Sequence, residues 1–116
     1  MKRSHEDLQG WQEGMALAKE VYAATASFPK EEMYGLTSQM RRAAVSVPSN
    51  IAEGAARGSK KEFLHFLVMA RGSLMELETQ IRLSKDLGFL MSREGLMERS
   101  NKTYALLNGL MASLRK

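Results

Sequence analysis

The residues best placed to do chemistry form a polar stripe. Gln39, Arg42, Ser46, Asn50 and Glu53 fall at offsets of 0, 3, 7, 11 and 14, which at about 100° per residue fills about 80° of arc on one helix. Val47, Ile51 and Ala44 lie alongside or opposite it. A second run, Gly72, Ser73, Glu76 and Gln80, sets a comparable strip inside an otherwise apolar stretch. Polar side chains this close to a core need partners. Two facing strips can satisfy one another, with Arg42 to Glu53 or Glu76 as a charge-assisted pair. The expectation is a hydrogen-bond network that fixes helix register. A ligand pocket and an intersubunit contact are the alternative uses of the same residues.

Other chemistry is thin. The two histidines are His5 and His65. Glu62-Phe63-Leu64-His65 matches the Glu-x-x-His element of di-iron bundles, but that chemistry needs the element twice plus two further glutamates. The sequence holds one copy, so His65 reads as a surface or interface histidine. No nucleophile elbow, phosphate-binding loop or dinucleotide fingerprint occurs, and nothing supplies a nucleophile with its own base. Cysteine is absent, which excludes disulfides, thiol nucleophiles and cysteine-ligated metals. The expectation is a protein without catalytic activity, cofactor or metal. No apolar run approaches the roughly 18 residues of a membrane span. The stretch Met1-Lys2-Arg3-Ser4-His5-Glu6-Asp7 turns acidic where a signal peptide would turn apolar. A cytoplasmic location with no membrane partner is expected.

The formal net charge is +4, and it is unevenly spread. Residues 1–40 carry four bases and six acids, a net of −2, whereas residues 41–116 carry thirteen bases and seven acids, a net of +6. Charge polarised in this way attracts phosphate backbones. The candidate contacts are Arg41, Arg57, Lys60, Lys61, Arg71, Arg82, Lys85, Arg93, Arg99 and Lys102. No aromatic residue is interleaved with them, so binding to RNA or DNA would be electrostatic and sequence-blind rather than stacked. The alternative is a structural adaptor for a protein partner, its charge serving solubility. The spacings Glu78–Arg82 and Glu98–Lys102 suit local ion pairs of that kind.

The elements that must position these residues are helices. The 116 residues and 13.0 kDa suit one core, hence one domain over 1–116. Alanine, leucine, methionine, glutamate, lysine and arginine dominate, no stretch alternates with period two, and the class is all-α. Helix 1 is expected over about 6–26, with Leu8, Trp11, Met15, Ala18 and Tyr22 on its core face, Ser4 as N-cap and Phe28-Pro29 as its stop. Pro29-Lys30-Glu31-Glu32 suits a single turn. Helix 2 follows over about 37–57, capped by Thr37 or Ser38 and kinked by Pro48 near Ala44. Ser59 and Glu62 have capping-box spacing and open helix 3, over 60 to about 87, which Gly88 closes. Ser92 caps helix 4, which runs to about Leu114 with Leu96, Thr103, Leu107, Leu110 and Leu114 in one stripe. Short connectors make an antiparallel up-down four-helix bundle the natural packing. The nine methionines read as adaptable core filler.

Helix 3 carries more apolar surface than one bundle uses. Phe63, Phe66, Leu67, Ala70, Leu74, Leu77 and Ile81 make a full core stripe. Leu64, Val68 and Met75 lie on another side, flanked by Arg71, Glu78 and Arg82. A monomer would leave that strip wet, and apolar strips with charged rims mark interfaces. Self-association is expected there. Coverage of both sides of the helix by its own bundle is the alternative.

One long string is distinctive: Leu36-Thr37-Ser38-Gln39-Met40-Arg41-Arg42-Ala43-Ala44-Val45-Ser46-Val47-Pro48-Ser49-Asn50-Ile51-Ala52-Glu53-Gly54. With Gly72-Ser73-Leu74-Met75-Glu76-Leu77-Glu78, it closely resembles the four-helix-bundle family encoded in intervening sequences of bacterial large-subunit ribosomal RNA genes. Asp7-Leu8 with Trp11-Gln12, Phe28-Pro29 and Leu87-Gly88-Phe89-Leu90 are similar to that family's pattern, so the resemblance spans about residues 6–112. It implies a homopentamer with a central channel and kinship to the accessory variability proteins of diversity-generating retroelements, basic pentamers associated with nucleic acid and a reverse transcriptase. Five copies would raise +4 to roughly +20, letting weak phosphate contacts add through avidity. One departure stands beside this: +4 per chain is a weaker basic character than that kinship implies.

Overall fold

A computed structural model describes residues 3–116; Met1 and Lys2, which open the N-terminal stretch read above, lie outside the described residues. The chain forms α1 (Gln9–Thr25), α2 (Leu36–Ala55), α3 (Lys60–Asp86) and α4 (Glu94–Leu114), with 3-10 turns at Ser4–Asp7 and Lys30–Glu32. Each helix packs on its two neighbours in chain order, and α4 closes onto α1. Among the described residues neither diagonal pair brings its Cα atoms within 8 Å. The result is an antiparallel four-helix bundle measuring 44 × 25 × 21 Å. Leu17, Val21, Met40, Val47, Ile51, Leu67, Leu74, Leu77, Ile81, Leu107 and Met111 are fully buried along its axis. The described helices include none long and apolar enough to cross a membrane.

Local chemistry sets most helix ends where the residues suggest. The Ser59 hydroxyl accepts the Glu62 N–H at 3.1 Å and starts α3; ahead of α4 the Ser92 hydroxyl accepts the Glu94 N–H at 3.2 Å, but the N-cap position itself falls one residue later, on Arg93. Gly88 takes the left-handed conformation, φ +83°, that ends α3, while the Phe89 N–H reaches back to the Ser84 carbonyl at 2.9 Å. Two other starts differ from expectation. Ser4 does not cap α1: residues Ser4–Asp7 form a separate 3-10 turn closed by the Glu6 carboxylate on the Arg3 N–H at 2.9 Å, and α1 begins at Gln9. Neither Thr37 nor Ser38 caps α2. The Glu32 carboxylate, from the preceding turn, accepts the Leu36 N–H at 3.1 Å, where its charge also meets the positive end of the helix dipole.

The core face of α1 also differs. Gly10, Gly14, Leu17, Ala18, Val21 and Thr25 point inward. Met15 and Tyr22 are exposed and Trp11 is half-buried. The cause is glycine. Gly10 and Gly14 have no side chain to score in an apolar pattern, yet they set the packing face. A Cβ on Gly14 would stand 3.4 Å from both Pro48 Cδ and Val47 Cγ1, and one on Gly54 would stand 2.6 Å from Phe66 Cβ. Helices α1 and α3 therefore approach α2 at bare backbone, and Pro48 is buried in the first of these contacts.

Candidate nucleic-acid interface and the helix seams

The basic residues divide into two sets. In the first set, each cation is already engaged within the bundle. Arg41 donates from Nε to Thr25 Oγ1 at 2.9 Å and stacks 4.7 Å from the Tyr22 ring centroid. Arg71 donates to Asn108 Oδ1 at 2.8 Å. Arg57 pairs with Glu53 at 3.1 Å and lies 4.9 Å from the Phe66 ring centroid. Arg99 reaches across the α1–α4 seam to Glu13 at 2.7 Å and to Glu20 at 2.5 Å, and Lys102 joins Glu13 at 3.1 Å. Hydrogen bonding from Lys102, then from Arg99, holds the Glu13 carboxyl below its ordinary range against the opposing effect of its burial, and Glu20 followed by Glu13 raises Arg99.

The second set is exposed and forms no ion pair among the described residues: Lys60, Lys61, Arg82, Lys85 and Arg93. The antiparallel topology parts them. Lys60 and Lys61 sit at the α2–α3 turn, beside Arg57 and at the end where α4 delivers exposed Arg115 and Lys116. Of the acids at that turn, Glu53 is paired with Arg57, and the Glu62 carboxylate accepts only the Ser59 hydroxyl at 3.4 Å. At the opposite end Lys85 precedes Asp86 and Arg93 precedes Glu94, so charges alternate. The bases thus do not share one face, and the α2–α3 end, which also receives Glu6 and Asp7 of the N-terminal turn, holds more of the exposed cations than the opposite end. Arg115 and Lys116 were not singled out by spacing, because only topology carries them to Lys60 and Lys61.

The polar strips meet in part. Ser46 Oγ and Ser73 Oγ lie 2.8 Å apart across the α2–α3 seam, and Asn50 Nδ2 donates to the Ser46 carbonyl at 2.8 Å and to Ser46 Oγ at 2.9 Å. Arg42, Gln39 and Glu76 stand exposed at the rim. The expected Arg42 pair does not form, since Glu53 takes Arg57 one turn on along the same helix. Gln80 is buried with its Oε1 unpartnered. The local pairs expected on spacing are also replaced. Glu78 accepts the Ser100 hydroxyl at 2.6 Å and Lys102 takes Glu13. Both new partners, Ser100 for Glu78 and Glu13 for Lys102, lie inward on a neighbouring helix, where water competes less. His65 is exposed and packs edge-on to Phe66, centroids 5.7 Å apart.

The α1–α2 seam leaves an apolar groove of about 490 Å³, lined by Trp11, Met15, Ala18, Tyr22, Val45 and Pro48 with Lys19 at its edge. It continues past Tyr22 and Val45 into a second hollow of about 540 Å³ that reaches Met33 between Arg41 and Arg42. On α3, Leu64 is half-buried against the core, whereas Val68 and Met75 are exposed and Met69 and Leu83 extend their surface. A family model described as 23S rRNA-intervening sequence protein matches residues 6–109 of the chain. No curated protein matches it.

Proposed function

The chain belongs to the 23S rRNA-intervening sequence protein family, and from that premise we propose that it is a non-enzymatic, self-assembling bundle that holds nucleic-acid backbone by charge. The observation that carries the reading is the α2–α3 end, where Lys60 and Lys61 are exposed, form no ion pair among the described residues, and the nearby Glu53 is paired with Arg57. Phosphate contact there needs no base readout. A ring of copies, five if the family resemblance extends to assembly, repeats the patch and multiplies a weak contact. The channel of such a ring, the choice between RNA and DNA, and a cytoplasmic setting belong to the same proposal.

Fluorescence anisotropy with a structured RNA and a DNA duplex tests it. Affinity is expected to fall at least about tenfold between about 50 and 200 mM salt, as counterion release requires. Lys60→Glu with Lys61→Glu should weaken binding to both probes alike. No binding at the low-salt end overturns the nucleic-acid reading. One observation favours a second reading, a scaffold for a protein partner: Arg99 and Lys102, the strongest cluster of bases on α4, are spent on Glu13 and Glu20 inside the fold.

A further inference from the structure

We infer that the α1–α2 groove receives an acidic amphipathic helix from a partner protein. This names the partner chemistry of the scaffold reading above and rests on that reading. The groove holds apolar area with no cover in its own chain: Met33 is 48% exposed, Tyr22 47%, Val45 41% and Met15 36%. It is a concave seam between two helices. Trp11 to Tyr22 gives it about 17 Å along α1, at about 1.5 Å per residue, before it continues to Met33. About three turns of a third helix fit that length, with apolar anchors at i, i+4, i+7 and i+11, as in other helix-in-groove contacts. Met15 and Met33 suit such a floor, because unbranched thioether side chains adapt to the shape pressed on them. A small amphiphile fits it less well, since a groove open along its length leaves most of such a ligand in water.

Charge selects the kind of helix. The charged residues lining the groove are Lys19, Arg41 and Arg42, all basic. Lys19 and Arg42 are exposed and form no ion pair among the described residues. Arg41 meets a hydroxyl and an aromatic ring, and neither neutralises it. The acids of α1 and α2 are Glu13, Glu20 and Glu53, and each is spent elsewhere: Glu13 on Arg99 and Lys102, Glu20 on Arg99, Glu53 on Arg57. In the turn before α2, Glu32 accepts the Leu36 N–H, and exposed Lys30 and Glu31 oppose one another in sign. The groove is therefore an apolar floor under a positive rim, and acids flanking the apolar stripe of an incoming helix complement it. A second copy does not supply that match. The exposed α3 strip of Val68, Met75 and Leu83 carries Lys61 and Arg82 on the same face, both exposed and without an ion pair among the described residues, so like charges would meet.

Trp11 is the chain's one tryptophan and lines the groove, so its emission reports occupancy directly. The probe is a synthetic peptide of about 15 residues, with leucines at the anchor spacing, glutamates on both flanks and no tryptophan. Its controls replace every glutamate by lysine or scramble the order. Added to the full chain, the acidic peptide is expected to shift Trp11 emission to the blue with saturation. By anisotropy of the labelled peptides, it should bind at least about tenfold tighter than either control. Lys19→Glu with Arg42→Glu should invert the preference between the acidic and lysine peptides. Val45→Asp should abolish binding with helicity unchanged by circular dichroism. Equal affinity for the acidic and lysine peptides overturns the proposal. So does a blue shift that grows with protein concentration alone and is lost in Val45→Asp, which gives the groove to a second copy. Binding that leaves Trp11 silent and is untouched by Val45→Asp overturns the groove as the site but leaves the scaffold reading standing. No binding of any peptide up to about 1 mM overturns the helical partner, whereas the scaffold reading itself falls to the salt-dependent nucleic-acid binding tested above.

Discussion

Helix α1 meets its two neighbours in opposite ways. Against α4 its charged residues are spent: Glu13 and Glu20 hold Arg99, and Glu13 also holds Lys102. Against α2 its apolar residues are left over, because Gly14 on Pro48 brings the backbones together below while Trp11, Met15 and Tyr22 stand above the contact. A seam that satisfies its own charges supports the fold and offers little to a partner. A seam that leaves aromatic and methionine side chains in water offers apolar area that only another molecule can cover.

The comparison breaks most visibly at the base of the groove. Gly14→Leu places a side chain where 3.4 Å separates a new Cβ from Pro48 and Val47, and overpacking of this kind costs about 1–3 kcal/mol. Its urea midpoint should fall accordingly. Next in size is Arg99→Ala, which strips both acids of a shared partner. With these groups only partly buried, a loss of about 1 kcal/mol is expected in the same assay.

Acid should then act selectively on the α1–α4 seam. The Glu13 carboxyl is held below its ordinary value of 4.5, so its contribution is complete above that value and is lost as pH falls through the lower folded one. Denaturation midpoints between pH 7 and pH 3 should show the loss in the parent protein and a flatter acid limb in Glu13→Gln. The smallest change belongs to the open seam: Met15→Ser should leave the stability of the isolated bundle within about 0.5 kcal/mol. A large loss there would mean that the groove is part of the core.

Much of the bundle was legible in residue order. The α3 core stripe from Leu67 to Ile81, the Ser59 cap and the Gly88 stop each depend on neighbours within a few positions. The α1 core face was not, because two glycines define it and bulky Trp11, Met15 and Tyr22 carry the apolar signal elsewhere. The polar stripe was legible as a stripe, and Ser46, Asn50 and Ser73 do meet. Its charged members were not assignable, since Arg42, Glu53 and Glu76 each face a choice among partners that only distance resolves. The same holds for Glu78 and Lys102, whose partners lie on other helices.

The sequence by itself determined four helices, their polarity and the family to which they belong, because helix propensity, capping and the long α2 string are local properties of the chain. The tertiary structure decided which cations remain free and which apolar residues remain uncovered. Those depend on how closely two backbones approach, and on which side chain of a neighbouring helix arrives first.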